Sequence, residues 1–211
     1  MNLVKRSNEM KDFFNKVVDI DYDDIHSKMI KAKEKIVDFL PSDIENIIDL
    51  GSGTGLQLIK LYKVYPNVKT TAIDISDGML KKLYERHISD NITIINKSFF
   101  EYEFGKDIDA VISTQALHHF EPSDKEVLYK KVYDCLKEHG VFVIEDYFAL
   151  DDEDERKGFE DYKNLVKGLD SHYDTPLTIS HEIEILKKSG FDDVEHYAHD
   201  NFNILISKKN R

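Results

Sequence analysis

The stretch Ile47–Gly55, read IIDLGSGTG, decides the fold. Three apolar residues and one acid (Ile47, Ile48, Asp49, Leu50) run into Gly51, Gly53 and Gly55. An apolar run that ends in glycines at a tight turn, ahead of a helical pattern, reads as strand, loop and helix. Glycine lets a ligand come close to the backbone. The following helix turns its unpaired N–H groups toward the loop. The stretch therefore reads as a cradle for a small-molecule cofactor.

Downstream, strands are predicted at about 69–74, 92–95, 108–113 and 141–144. Helices lie between them, at 55–65, from Ser76 to about His87, and from Ser123. Ser76 is a plausible N-cap, with Asp77 in the first turn. Ser123 and Glu126 have capping-box spacing, with Pro122 just outside. Leu128, Val132, Cys135 and Leu136 share one face of that helix. A last helix, about 181–189, ends at Gly190, and strands at 194–198 and 202–207 follow across a link too short for a parallel crossover. Upstream, Ile25, Met29, Ala32, Ile36 and Leu40 recur at helical spacing until Pro41 stops the helix. Residues 151–155 read as a non-periodic acidic piece and 156–170 as a poorly striped helix. The pattern is an α/β, doubly wound, mostly parallel sheet closed by an antiparallel hairpin. One domain is expected over 1–211, with residues 1–40 as a helical cap and 147–178 as an insertion or lid.

Composition narrows the class. The 211 residues carry 29 basic and 41 acidic side chains, a net charge of −12. That disfavours nonspecific attraction to nucleic acid or anionic lipid, and no basic patch offsets it. Cys135 is the only cysteine, so no intrachain disulfide can form. There is no run of 18 apolar residues, and Lys5, Arg6, Glu9, Lys11 and Asp12 stand where a signal peptide needs an apolar core. A cytoplasmic monomer or homodimer with a small-molecule substrate is expected, with no nucleic-acid or membrane partner.

In a sheet of this kind ligands bind beyond the carboxyl ends of the strands, where strand order reverses. Asp74 ends the second strand, at the spacing from the glycines where an acid accepts ribose hydroxyls. The glycines run G-x-G-x-G, and Leu56 stands beyond them, so the third glycine of a nicotinamide fingerprint is missing. Tyr133 and Lys137 have reductase Y-x-x-x-K spacing, but they fall inside a helix and lack that fingerprint.

Four pieces together resemble one family: DLGSGTG (49–55), AIDIS with DGML after it (72–80), VISTQALHHF (111–120) and PLTISHEIEILKKSGF (176–191). The chain resembles the class I S-adenosylmethionine-dependent methyltransferases of the small-molecule type. The resemblance implies a seven-stranded sheet whose last strand inserts antiparallel beside the fifth. It implies S-adenosyl-L-methionine as cofactor, with Gly51, Ser52 and Gly53 against its methionyl part and Asp49 supporting that loop. Asp74 would hold the ribose, and Ile75 and Met79 the adenine. Ser98, followed by Phe99, stands where many members carry an acid for the adenine amino group. Ser113 and Thr114 would line the sulfonium end, and Tyr22 would close over the methionyl part.

The acceptor is expected to meet the N-terminal helix region, the loop 114–121 and the segment 147–178. His119 and Glu145 are the candidates for a catalytic base, since an imidazole can take a proton near neutral pH. His118 is expected nearer solvent. The paired histidines with Glu145 and Asp146 make a metal cluster geometrically possible, but no spaced ligand motif is present and no metal is expected. The alternative reading is a noncatalytic or non-methylating S-adenosylmethionine-binding protein of the same fold.

Overall fold

The computed structural model describes residues 3–18, 22–23, 30–164, 174–199 and 202–210. Helix α1 spans Leu3–Val17, and α2 spans Ile30–Lys35 and tightens into a 3-10 turn at Ile36–Phe39. Then come β1 Asn46–Leu50, α3 Leu56–Val64, β2 Lys69–Asp74, α4 Asp77–Glu85, β3 Ile92–Asn96 and β4 Ile108–Thr114. A 3-10 turn at Leu117–His119 leads to α5 Pro122–Cys135, β5 Leu136–Glu145, α6 Asp152–Asn164, α7 Ile179–Lys188, β6 Asp193–His199 and β7 Phe202–Lys208.

The sheet order is β3-β2-β1-β4-β5-β7-β6. The first five strands run parallel, and β7 lies antiparallel between β5 and β6. Successive strand residues point to opposite faces, and both faces are covered. Ile48, Leu50, Val111, Phe142 and Ile144 face Leu128, Tyr129, Val132, Ile185 and Leu186 of α5 and α7. Ile47, Ala110, Ile112 and Val143 face the other way, toward Ile36, Val37, Leu58, Leu61, Leu80 and Leu83. That two-sided burial is why these strands read as unbroken apolar runs. Among the described residues no helix is long and apolar enough to cross a membrane.

Several boundaries differ from the sequence reading. The Asp24–Leu40 helix begins, as far as it is described, at Ile30, and residues 24–29 lie outside the described part. β5 starts at Leu136, directly after α5. Its register against β4 shifts between Ile108 and Ala110, which takes into the strand Leu136 and Lys137, read from the sequence as helical, and Gly140, read as the helix end or the turn after it. The N-cap of α5 is Glu121, with Pro122 inside the helix. Proline is well suited to that first position because its missing N–H would be unpaired there anyway. The acidic piece is not irregular: Asp152, Glu153, Asp154 and Glu155 form the first turn of α6, where the helix dipole favours acids. Glu155 also accepts from the Thr178 amide at 2.7 Å and meets His181 Nδ1 at 2.7 Å, tying α6 to the start of α7. The weakly striped helix ends at Asn164, and its expected continuation lies outside the described residues.

Candidate functional site

Sheet order reverses between β1 and β4, and a cavity lies beyond their carboxyl ends. The glycine loop forms its floor. Gly51 has φ +71°, and its amide donates to the Ile73 carbonyl at 2.9 Å, locking the loop to the end of β2. A Cβ on Gly51 would stand 2.5 Å from Ala116 Cβ. Gly53 has φ +52° and lines the cavity with nothing within 4 Å of where its Cβ would be. A side chain there would therefore occupy ligand space.

Two carboxylates hold this loop. Asp49 is fully buried and its Oδ2 accepts from Gln57 Nε2 at 2.7 Å, while Gln57 also donates to the Ser52 carbonyl at 3.2 Å. Burial pushes Asp49 up to about 7 against the hydrogen bonds from Gln57 and Ser52. Asp74 accepts from the Gly53 amide at 2.8 Å and from the Ser76 amide at 2.8 Å. Burial raises its pKa, opposed by those backbone donors.

Of the residues expected at the cofactor, Tyr22, Gly51, Ser52, Gly53, Asp74, Ile75, Met79, Ser98, Phe99 and Thr114 line the cavity, as does His119. Three do not. Asp49 lies behind the loop, as expected of a support. Ser113 alternates to the buried side of β4 and donates to the Leu50 carbonyl at 2.9 Å, so it staples β4 to β1 and does not face the cavity. Glu145 is buried, and its Oε1 accepts from Gln115 Nε2 at 2.9 Å; Gln115, not Glu145, stands on the wall. Burial and then Asp146 push Glu145 up to about 7.

Phe14 of α1, one of the N-terminal aromatics the sequence offered as pocket cover, lines the cavity, whereas Ser7 and Met10 of α1 and Lys33 of α2 line it too and were not singled out from the sequence. α1 is pinned over the cavity through Asn15 Oδ1, which meets Ser76 Oγ at 2.7 Å and accepts from the Gly78 amide at 3.0 Å. Lys33 is only 5% exposed, and burial lowers its pKa against the pull of Glu145 and Asp49. The apolar island at Phe13–Val18 was a usable signal for α1. Nothing local marked Lys33 as an inward-facing cation.

The other end of the cavity is built by the 3-10 turn. Asp146, at the end of β5, accepts from the amides of Leu117 at 2.8 Å and His118 at 3.1 Å, and from its neighbour Tyr147 at 2.8 Å. The same carboxylate meets His118 Nδ1 at 2.5 Å. His118 is buried, contrary to the solvent position expected for it, because this carboxylate draws the ring inward. Asp174 Oδ1 lies 3.4 Å from His118 Nε2 and 3.2 Å from His119 Nδ1. The Thr175 amide, which donates to the His118 carbonyl at 2.8 Å, keeps Asp174 in place. Burial pulls the His118 pKa down, but Asp146 and then Asp174 outweigh it and raise it to about 9.

A pH dependence follows from that shift. A histidine whose folded pKa lies above its unfolded 6.5 contributes stability in full below about pH 6.5 and loses it as pH rises through about 9. In chelator-treated protein the thermal midpoint is expected to fall across that window. Asp146→Asn is expected to flatten the slope, measured by thermal unfolding at several pH values.

The residues suit the donor that the resemblance implies. A positively charged sulfonium and an α-amino group would meet a rim backed by Asp49, Asp74 and Glu145. Among the described residues Asp49 Oδ1, Thr114 Oγ1 and Glu145 Oε2 are buried there without a hydrogen-bond partner.

Comparison with known proteins gives four findings. A family profile described as "Methyltransferase domain" matches residues 47–140. Carboxy-S-adenosyl-L-methionine synthase of Nautilia profundicola is 30% identical over 186 residues, which is 80% of this chain and 79% of that protein. Phosphoethanolamine N-methyltransferase of Plasmodium falciparum is 29% identical, covering 81% of this chain and 62% of that protein. Among solved structures, human N-acetylserotonin methyltransferase in complex with S-adenosylmethionine superposes with a TM-score of 0.67 at 21% identity, over 89% of this chain. The chain spans about half of that human protein, 53% of its length.

Proposed function

This chain belongs to the class I S-adenosylmethionine-dependent methyltransferase family, and from that premise we propose that it methylates a small-molecule acceptor at the His119 end of the cavity. The observation that carries this reading is one continuous cavity with a glycine cradle and Asp74 on one side and His119 on the other. S-adenosylmethionine supplies an electrophilic methyl group on a sulfonium, so the protein's task is to align, desolvate and handle a proton.

Asp74 holds the ribose hydroxyls with the carboxylate sites left over after Gly53 and Ser76. Ile75, Met79 and Phe99 enclose the adenine, with Ser98 at its rim. Thr114 and Tyr22 enclose the sulfonium end, and Gln115, braced by Glu145, shapes the wall beside it. His119 takes the acceptor's proton: Asp174 beside Nδ1 fixes the tautomer that leaves the other ring nitrogen basic. Glu145 is assigned to positioning and not to proton transfer, because Gln115 occupies the wall it would need. The net charge of −12 supports a small acceptor over nucleic acid or an anionic membrane.

A second reading is supported by the Nautilia relative, whose name describes a synthase that modifies S-adenosylmethionine itself. Calorimetry with S-adenosylmethionine and S-adenosylhomocysteine tests the shared premise, and one molecule bound per cavity is expected. Mass spectrometry of cofactor extracted from purified protein then separates the two readings. An intact S-adenosylmethionine, turned over to S-adenosylhomocysteine with amine, hydroxyl or carboxylate acceptors, supports methyl transfer. A carboxylated cofactor supports the second reading.

A further inference from the structure

We propose that His118, His119 and Asp174 form a binding site for a borderline divalent transition ion, with zinc as the best match, at the acceptor end of the cavity. The proposal rests on the reading of that end as the acceptor's, and goes beyond it by naming what activates the acceptor.

The geometry is the first argument. One ligand atom from each of the three residues lies within 4.8 Å of the other two. The distances from Asp174 Oδ1 are 3.4 Å to His118 Nε2 and 3.2 Å to His119 Nδ1. A tetrahedral zinc with ligands at about 2.0–2.1 Å has ligand-to-ligand edges of about 3.3–3.4 Å. Two of the three edges thus already have tetrahedral length, and the third, between the imidazoles, lies within 4.8 Å.

The second argument is the support behind the ligands. A metal-bound imidazole usually gives its other ring N–H to a carboxylate, which fixes the tautomer and strengthens the ligand. Asp146 stands at Nδ1 of His118 at 2.5 Å, leaving Nε2 as the ligating nitrogen. Asp146 is itself fixed by the amides of Leu117, His118 and Tyr147, so neither ring nor carboxylate can swing away. The Asp174 segment is fastened to the same turn through the hydrogen bond from Thr175 to His118.

Ligand chemistry selects the ion. Two imidazoles and one carboxylate suit zinc and its neighbours, whereas magnesium and calcium favour oxygen ligands. Among the described residues three protein ligands leave a fourth position for a substrate oxygen that the metal can polarise. His119 belongs both to the ligand set and to the cavity wall, so ion and cavity are about one imidazole apart. With the ion bound, His119 Nδ1 is a ligand and not a base, and an acceptor hydroxyl that reaches the ion's open position has its pKa lowered and gives its proton to solvent.

The test uses the full chain, stripped with chelator and titrated with zinc chloride by calorimetry and with cobalt(II) by visible absorption. One ion per chain is expected, with a tetrahedral cobalt spectrum. Asp174→Ala, at a side chain 41% exposed, is expected to abolish the spectrum while the fold is retained. Asp146→Asn is expected to weaken zinc by on the order of 10–100-fold. S-adenosylhomocysteine binding, measured in parallel, reports on the cofactor site independently. If zinc does not bind, or binds equally to Asp174→Ala and Asp146→Asn, the ion is overturned. Retained S-adenosylhomocysteine binding would then leave His119 as the base. Loss of that binding in the wild type would overturn the methyltransferase reading instead.

Discussion

Asp74→Ala is expected to weaken S-adenosylhomocysteine binding by on the order of 100-fold, measured by calorimetry at constant pH and salt. The carboxylate sits at the end of β2 and has two structural bonds, to Gly53 and Ser76, each 2.8 Å. Its remaining acceptor sites face the cavity. Alanine would remove the charge-assisted bonds to the ribose, each worth about 1.5–3 kcal/mol. It would also release the Gly53 amide, loosening the loop under the cofactor. Asp74→Asn keeps an acceptor and the shape, so a loss nearer 10-fold is expected. Equal affinity in wild type and alanine variant would remove Asp74 from the cofactor site. The fold should survive either change, because Asp74 caps a turn and fills no apolar space.

Lys125→Ala is expected to cost about 3–5 kcal/mol of stability, the largest effect of any single change outside the cavity. Lys125 Nζ meets Glu182 Oε2 at 2.6 Å, and the two side chains are 3% and 1% exposed. Tyr129 also donates to Glu182, so the carboxylate is held by two groups from α5. Deleting the lysine leaves a buried charge whose solvation is gone and whose partner is gone. For a chain of this size the thermal midpoint should drop by roughly 10 °C, read by calorimetry or circular dichroism. Lys125→Met combined with Glu182→Leu should recover much of the loss, since removing both charges removes the desolvation cost as well. A double variant as unstable as the single one would mean that packing, and not the stranded carboxylate, sets the penalty.

The parts of the site legible in the sequence are those whose signal is local. The glycine triplet follows a strand that reads as an apolar run, and Asp74 ends the next strand. Ser76 is a cap in both sequence and structure, with Oγ accepting from the Met79 amide at 3.2 Å. The antiparallel place of β7 beside β5 followed from a link too short for a crossover, together with the resemblance. Boundaries were less legible. β5 reached back to Leu136 because a register shift against β4 let Lys137, Glu138 and His139 stay in the strand, where the periodicity of the preceding helix had carried Leu136 and Lys137 into that helix.

What one strand shows its neighbour cannot be read from one residue. Ser113 and Thr114 are adjacent, yet the twofold alternation of a strand turns Thr114 to the cavity and Ser113 to the Leu50 carbonyl. Glu145 pairs in register with Thr114, and it is the Gln115 side chain, donating to its Oε1, that separates it from the wall. Lys33 reads as an ordinary solvated lysine in a charged stretch, IKAKEK, until α2 packs its side chain against the rim.

The sequence by itself determined the strand–loop–helix cradle, the order of the five parallel strands with their helices, the closing hairpin and the acid at Asp74. Each of these rests on hydrophobic period, turn chemistry or short link length, forces that act between near neighbours. Only the tertiary structure decided that α1 and Lys33 wall the cavity and that His118 is buried. It also decided that Asp146 and Asp174, from the end of one strand and from a distant segment, converge on the two histidines. Those contacts join residues far apart in the chain, where no local period records which side chains the packed sheet will bring together.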